Sequence, residues 1–414
     1  MPSAWTADVR EIVNGLIVAL TYLGVAIGYF PGFRLNRQTI ALVGAALVVA
    51  TGIVRLGDAY AAIDHDTILL LFSMMILNAN LQLAGFFRLV GRAVVQRARS
   101  PLALLALLVF ASGILSALFL NDTVVLMLTP LVVEVTLNLQ RNPIPYLLAL
   151  ATSANIGSSA TIAGNPQNIL IGAASGISYL RFVTALGPTA LLGLVACIAI
   201  IALVYRQEFI GVRFERVPLS EFRPYRPLLN KALLCAAGVL LLFLIGYPVA
   251  GAAFFGAAAL LITRRIKPEK VFAEINWGLL VFFSGLFVVT SSLEHTGLSQ
   301  HLFQLVNPLV AAGVGPLSVV SVILSNLISN VPAVLLFRPI VPNLANPELA
   351  WLTLAMSSTL AGNLTLLGSV ANLIVAEEAA RKGVDLTFGA YLKVGVPVTL
   401  VTTAIGVILL GLRR

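Results

Sequence analysis

The stretch "SANIGSSATIAGNPQNILIG", Ser153 to Gly172, reads as neither an ordinary helix nor an ordinary loop. It holds three Gly, one Pro and three Asn, yet apolar runs flank it and no charged residue occurs from Asn142 to Leu180. In hydrocarbon every backbone polar group must be satisfied internally, so an interrupted backbone is tolerated only inside protein or around a cavity. Residues 144–176 make 33 positions, more than the roughly 20 that a straight span needs. Gly157, Gly164 and Pro166 supply the break, Gly by its flexibility and Pro by its missing N–H. A helix broken at the midplane frees N–H groups that favour anions and C=O groups that favour cations.

The rest of the chain agrees with a membrane setting. Of 414 residues, 59% are hydrophobic and 10% charged, with mean hydropathy +0.99. Soluble domains carry roughly 25% charged residues, so this is an all-α polytopic protein of the cell (inner or plasma) membrane. The net charge of +9 sits in short loops between spans, which fits the positive-inside rule and not nucleic-acid binding. Cys197 and Cys235 lie within apolar spans and suggest no disulfide, zinc or redox motif. The N-terminal "MPSAWTADVREIVNG" lacks a basic n-region and a cleavage site, so the first span is expected to direct insertion.

The opening stretch has an echo in "STLAGNLTLLGSVANLIV", where Thr161, Gly164 and Asn168 align with Thr365, Gly368 and Asn372. "NDTVVLMLTP" likewise matches "NVPAVLLFRP", with Asn121 on Asn330 and Pro130 on Pro339. The matches keep the same order along the chain, which marks a duplication. Corresponding loops carry opposite charge. The loop at Arg34 and Arg37 is basic and its counterpart "GYPVAG" uncharged; the stretch from Arg55 to Asp66 is mostly acidic and its counterpart carries Arg264, Arg265, Lys267 and Lys270. Arg88, Arg92, Arg97 and Arg99 crowd one loop, whose partner after Glu294 has no Lys or Arg before Arg338. This pattern predicts an inverted-topology repeat, a device of secondary transporters.

A consistent count has two inverted repeats, each with five transmembrane helices and a re-entrant hairpin, and broken helices at the midplane. The first repeat is 1–205, with spans near 13–30, 38–54, 67–86 and 182–205, a hairpin at 101–138 and a broken helix at 144–176. A cytoplasmic linker occupies 206–231. The second repeat, 232–414, has spans near 232–247, 249–263, 277–293 and 389–411, a hairpin at 315–345 and a broken helix at 349–379. Five spans per half is odd, so the halves invert, with both termini outside.

The two breaks form the candidate substrate cradle. From the first come Asn155, Ser158, Thr161, Asn165 and Asn168, with Ser159 and Gln167 beside them; from the second, Asn363, Thr365, Ser369 and Asn372, with Ser357, Ser358 and Thr359. The alternative is that small polar residues merely let helices pack closely; two matched midplane clusters favour a binding site. The hairpin tips add Asn121, Asp122 and Thr123 on one side and Asn330 on the other. A carboxylate flanked by apolar sequence is costly at depth. Asp122 is thus a candidate proton carrier or Na⁺ ligand, or a cap on a helix beginning at Thr123. Glu134 and Arg338 fall in returning hairpin arms and read as interface positions, and Arg338 is also a candidate to attract an anion. His65, His295 and His301 read as loop histidines. No metal site and no catalytic residue is expected.

At these residues the chain resembles a known family. "FLNDTVVLMLTPLVV", "SANIGSSATIAGNPQNILIG" and "SNLISNVPAVLLF" look like signatures of the ion transporter superfamily, nearest its ArsB/NhaD-type permeases. The resemblance runs through both repeats and implies hairpins and broken helices meeting at a central site. Members include arsenite/antimonite efflux permeases, Na⁺/H⁺ antiporters and Na⁺-coupled permeases for dicarboxylate or sulfate. The Na⁺-coupled dicarboxylate branch carries Ser-Asn-Thr at both tips, and this chain does not. Arsenite permeases show Asn-Asp at the first tip and Asn before Met-Pro at the second, similar to Asn121-Asp122 and Asn330-Val331-Pro332, although "GNPQN" (Gly164 to Asn168) departs from their pattern.

The resulting expectation is a secondary active transporter, not an enzyme, that exports arsenite or antimonite in exchange for protons and so confers arsenical resistance. Asp122 would couple the proton. No cofactor is expected beyond the coupling ion, H⁺ or alternatively Na⁺. The rivals are a Na⁺/H⁺ antiporter, a Na⁺-coupled oxyanion or dicarboxylate permease, and a passive channel serving an ATP-driven pump. The last would need a separate ATPase subunit, since the chain has no P-loop motif. Expected partners are membrane lipid and a small inorganic ion, with an ATPase subunit and a second copy of the chain as further candidates. Impermeant labelling of cysteines introduced near Arg92 and near His301 is expected to reach them from opposite sides of the membrane; labelling of both from one side would end the inverted-repeat reading.

Overall fold

The computed structural model describes residues 7–28, 34–210, 214, 222–262, 266–298, 300, 304, 308 and 312–413. Arg264, Arg265, His301 and most of the middle of the linker lie outside them. Among the described residues the protein has nineteen helices and no strand. The first half runs α1 (Ala7–Ile27), α2 (Arg37–Ala50), a short α3 (Leu56–Ala62), α4 (His65–Ala84) and α5 (Phe86–Arg97). The hairpin follows as α6 (Pro101–Leu118) and α7 (Asn121–Asn138), then α8 (Pro143–Ser158), α9 (Pro166–Ser175) and α10 (Tyr179–Val204). The second half repeats the series: α11 (Arg226–Leu244), α12 (Val249–Leu261), short α13 (Pro268–Ala273), α14 (Trp277–His295), hairpin α15 (Val314–Ile328) and α16 (Asn330–Phe337), then α17 (Pro347–Ala361), α18 (Val370–Ala380) and α19 (Phe388–Gly411). Seven of these helices are long and apolar enough to cross a membrane unaided.

The packing is reciprocal. Helix α4 packs on α12 and its equivalent α14 on α2; α6 packs on α8 as α15 does on α17; α10 and α19 pack on each other. Equivalent helices α4 and α14 run in opposite directions. Gln82, in the last turn of α4, donates to Glu274 Oε2 at 2.8 Å, just before α14 begins. Ile63, before α4, packs into the apolar cluster that holds Leu293 near the far end of α14. The halves are therefore inverted, as the loop charges predict. Contacts between loops sort the same way: Arg141 pairs with Glu208 at 3.1 Å on one face, while Asp64 pairs with Arg338 at 2.9 Å and Arg181 with Glu348 on the other.

Three local expectations are corrected. The basic stretch 88–99 is not a loop but mostly α5, because Phe87, Gly91, Val94 and Val95 recur at helical spacing and are buried, leaving its arginines on the opposite side. The second spans of each half are shorter than expected: α2 ends at Ala50, where Gly52 turns the chain at φ +71°, and α12 ends at Leu261. Gly157 does not break the helix; it lies inside α8, and the interruption comes at 159–165. Its hydrogen side chain serves packing instead. A Cβ there would sit 2.0 Å from the Gly113 carbonyl oxygen and 2.4 Å from its Cα, so α6 and α8 touch backbone to backbone. Gly157→Ala is expected to lower the melting temperature in detergent, at an overpacking cost of about 1–3 kcal/mol or more. Gly113→Ala should cost less, since the nearest atoms to its Cβ belong to the movable Leu194 side chain; equal melting temperatures for Gly157→Ala and the parent would refute the contact.

Candidate functional site

Each broken helix leaves carbonyls at the end of its first piece and N–H groups at the start of its second. Both halves satisfy them in the same way. Asn165, the N-cap of α9, accepts from Asn168 N at 2.9 Å, and Ser369, the N-cap of α18, accepts from Ala371 N at 3.3 Å. The Asn168 amide donates to the carbonyls of Ser158 (3.1 Å) and Thr161 (3.0 Å). Its equivalent, Asn372, donates to the carbonyls of Gly362 (2.7 Å) and Thr365 (3.1 Å). Two asparagines thus clamp the unwound backbone, each fully buried.

The two clamps are then tied to each other across the halves. Asn155, in the last turns of α8, donates to Asn363 Oδ1 at 2.9 Å and Asn372 Oδ1 at 3.1 Å. Its own Oδ1 accepts from Ser369 (3.1 Å) and from Asn121 Nδ2 (3.1 Å). Thr359 holds the equivalent place in α17. It donates to Asn168 Oδ1 at 3.3 Å, and its hydroxyl lies 3.2 Å from both Asn165 Nδ2 and Gln167 Nε2. Asn165 also reaches Ser158 Oγ at 3.0 Å, and Asn363 donates to the Thr152 carbonyl at 3.2 Å. The lattice is buried and uncharged.

The hairpin tips close on the breaks. Asn121 N donates to the Gly164 carbonyl at 3.0 Å, and Thr161 donates to the Ala117 carbonyl at 2.5 Å. Asn326, on α15, donates to the Ala361 carbonyl at 3.0 Å and lies within 3.5 Å of Thr365 Oγ1. Thr123 lies 3.4 Å from Asn78 Nδ2. At the tips themselves Asn121 Oδ1 and Asn330 Oδ1 are buried without a hydrogen-bond partner among the described residues, as is Asn78 Oδ1 beside Thr123. Asn121 is 4% exposed and Asn330 9%.

Asp122 does not cap a helix beginning at Thr123. The helix begins at Asn121 with Leu120 in the N-cap place, and no side chain caps it. Asp122 lies in its first turn, half-buried, where a carboxylate suits the helix dipole, and makes no hydrogen bond or ion pair among the described residues. Of the nominated residues, Asn121, Asn155, Ser158, Asn165, Asn168, Asn363, Ser369 and Asn372 join one lattice. Thr161 and Thr365 fasten the breaks to the hairpins, and Asp122, Thr123 and Asn330 stand beside it.

Sequence reading passed over Asn326 and Asn78, which carry no repeat match that would single them out. Thr359 and Gln167 were in view and prove central. Cys197, which carries no motif in the sequence, has its sulfur 3.2 Å from Thr152 Oγ1, on the residue whose carbonyl takes the Asn363 amide. Arg338 is paired with Asp64 and stacks 5.3 Å from Phe287, so its charge is engaged. His65 and His295 are exposed at helix ends.

Comparison with known proteins places this geometry. The family described as citrate transporter matches residues 22–361. The silicon efflux transporter LSI3 of Oryza sativa subsp. japonica is 34% identical over 98% of this chain and 99% of its own. The transporter named arsB of Dictyostelium discoideum is 26% identical over 90% of this chain and 87% of its own. Among solved structures, the Alcanivorax borkumensis YdaH transporter covers 97% of this chain and 98% of its own, at TM-score 0.62 and 15% identity. MtrF of Neisseria gonorrhoeae covers 97% and 94%, at TM-score 0.57 and 12% identity. These last two carry the fold alone.

Asn155→Leu would leave four buried groups short of a partner, each worth about 1–3 kcal/mol, whereas Asn363→Leu disturbs two. Both variants are expected to lose transport while still reaching the membrane, with the larger drop in melting temperature for Asn155→Leu. Normal flux through both would mean that the lattice is packing and not a substrate cradle.

Proposed function

We propose that this chain, which belongs to the citrate transporter family of the ion transporter superfamily, exports a small neutral hydroxy acid of the arsenous or antimonous type in exchange for entering protons. It is a multi-pass membrane transporter; the cargo and the coupling are the proposal. The repeats would be residues 1–205 and 232–414, with 206–231 as the linker, and the cargo would bind where the two breaks and the two hairpin tips meet.

The observation that carries this reading is the pair of unused acceptors, Asn121 Oδ1 and Asn330 Oδ1, beside an uncharged lattice. A buried carbonyl oxygen without a partner calls for a donor, and an undissociated hydroxy acid offers several. A citrate anion offers little to donate and needs counter-charge, yet residues 142–180, 312–337 and 349–376 contain no Lys or Arg. The nominated site residues other than Asp122 are neutral hydroxyl and amide groups, and their modest net hydrogen bonds allow release as well as capture. Asp122, one residue from Asn121 and without a partner among the described residues, is then the group that can take up a proton as the cargo leaves. The relative named for silicon efflux supports the same class, because silicic acid is also a small neutral hydroxy acid. Carbonyl oxygens also suit an alkali cation, which keeps Na⁺ as the second reading for the coupling ion.

The test is uptake of arsenite, antimonite and silicic acid into everted membrane vesicles under an imposed pH gradient, with and without Na⁺, for the parent and Asp122→Asn. Uptake driven by the proton gradient, independent of Na⁺ and nearly abolished in Asp122→Asn, is the expected result. Transport that requires Na⁺, or that moves only carboxylates, would transfer the function to another branch of the family.

A further inference from the structure

One face of α7 differs from its other side along its length. Val124, Val125, Leu128, Thr129, Val132 and Val133 are buried. Asp122, Thr123, Leu126, Met127, Pro130 and Leu131 are all partly exposed, and Glu134 is exposed. Positions 122, 126 and 130 follow one another at the four-residue spacing that stacks side chains on one face. The lower part of this strip, Leu126 to Glu134, walls a cavity of about 540 Å³ whose other side carries Arg88, Arg223 and Lys382. The linker forms its floor: Arg88 stacks 4.7 Å from the Phe222 ring, and Tyr225 N donates to the Ala84 carbonyl at 3.1 Å.

The equivalent arm of the other hairpin is closed. Asn330 to Leu335 and Phe337 are buried, and Arg338 beyond them is held by Asp64. Among the described residues the pseudo-symmetry of the fold is therefore broken in accessibility, with a cavity on the side of the basic loops that reaches Leu126, about one turn from Asp122. Pro130, inside α7, has no N–H to give to the Leu126 carbonyl. That leaves a backbone acceptor on the open face between Asp122 and Glu134, where water can be held.

Resting on the function proposed above, we propose that this strip is the inner access route to Asp122, and that Glu134 at its mouth is the residue that passes the coupling proton to cytosolic water. In the step, protonated Asp122 gives its proton to a water chain along the strip and becomes a carboxylate. The chain delivers a proton to the Glu134 carboxylate, and protonated Glu134 loses it to bulk water. Among the described residues the charged groups that line this cavity with Glu134 are Arg88, Arg223 and Lys382. The two carboxylates are twelve residues apart, about 18 Å along the helix, so the relay needs the water chain and no direct contact.

Two measurements test it with arsenite as the cargo. In everted vesicles, Met127→Cys is expected to react with an impermeant maleimide well above the parent's labelling, and in right-side-out vesicles not to. Glu134→Gln is expected to slow pH-gradient-driven uptake by roughly tenfold, since a positioned proton-transfer group is worth that much or more. It should leave arsenite counterflow at equal pH unchanged, and Glu134→Asp should restore most of the driven rate. Parent-level driven uptake in Glu134→Gln, or an equal loss of counterflow, overturns the relay. Absence of labelling at Met127→Cys overturns the route. If the parent shows no proton dependence while Met127→Cys is labelled, the coupling proposed above fails together with the relay, and the access route stands.

Discussion

Everything in this protein depends on how two interrupted helices keep their backbone satisfied away from water. Each interruption exposes carbonyls that hydrocarbon cannot solvate, at a cost of about 1–3 kcal/mol for each left unpaired. Asn168 and Asn372 meet that cost from one helical turn beyond the break, each amide spanning two carbonyls. An amide suits the task because it presents two donors and an acceptor on one rigid plane. With both donors spent on the backbone, each acceptor is left to face the other half, and Asn155 and Thr359 answer it. The bonds that repair the helices thereby join the repeats.

The duplication is close in backbone and loose in chemistry. Asn155 and Thr359 occupy equivalent places, as do Asn165 and Ser369, yet one member of each pair is an amide and the other a hydroxyl. An asparagine can donate and accept at separate atoms, so Asn155 bridges four neighbours, while the single oxygen of Thr359 must serve three. The hairpin tips diverge further, with a carboxylate at Asp122 and an apolar side chain at Val331. A symmetric fold can pass a cargo between equivalent positions; a single carboxylate gives the two faces different charge chemistry.

Relatives show which constraints are strict. Solved transporters at 15% and 12% identity keep the fold over nearly the whole chain. Satisfying the backbone at two breaks, packing two hairpins against them and inverting the halves requires a topology rather than particular side chains. The names of the sequence relatives, by contrast, range over citrate, silicon and an arsB-type transporter. A shared fold does not fix a shared cargo, because function lives in sites grafted on the fold.

Composition and local pattern were enough to establish the membrane setting, the duplication, the inverted halves and the positions of both breaks. Apolar runs, loop charges, and the Gly, Pro and Asn clusters are local marks of where water ends and where a helix cannot continue. The sequence also pointed to most of the polar lattice, because Asn155, Asn168, Asn363 and Asn372 are conspicuous in apolar surroundings. Only the tertiary structure decided their partners and what each does. Asn168 and Asn372 repair backbone, Gly157 admits a neighbouring helix instead of breaking its own, α5 is a helix lying where the charges read as a loop, and Asp122 lies in the first turn of α7 rather than capping it. It also decided that one face of α7 is open while the matching arm is shut. Several of those facts rest on contacts between residues far apart in the chain, from Gly113 with Gly157 to Asn155 with Asn363 and Asn372, and no local pattern in a chain records which distant group will stand opposite a side chain once the helices have packed.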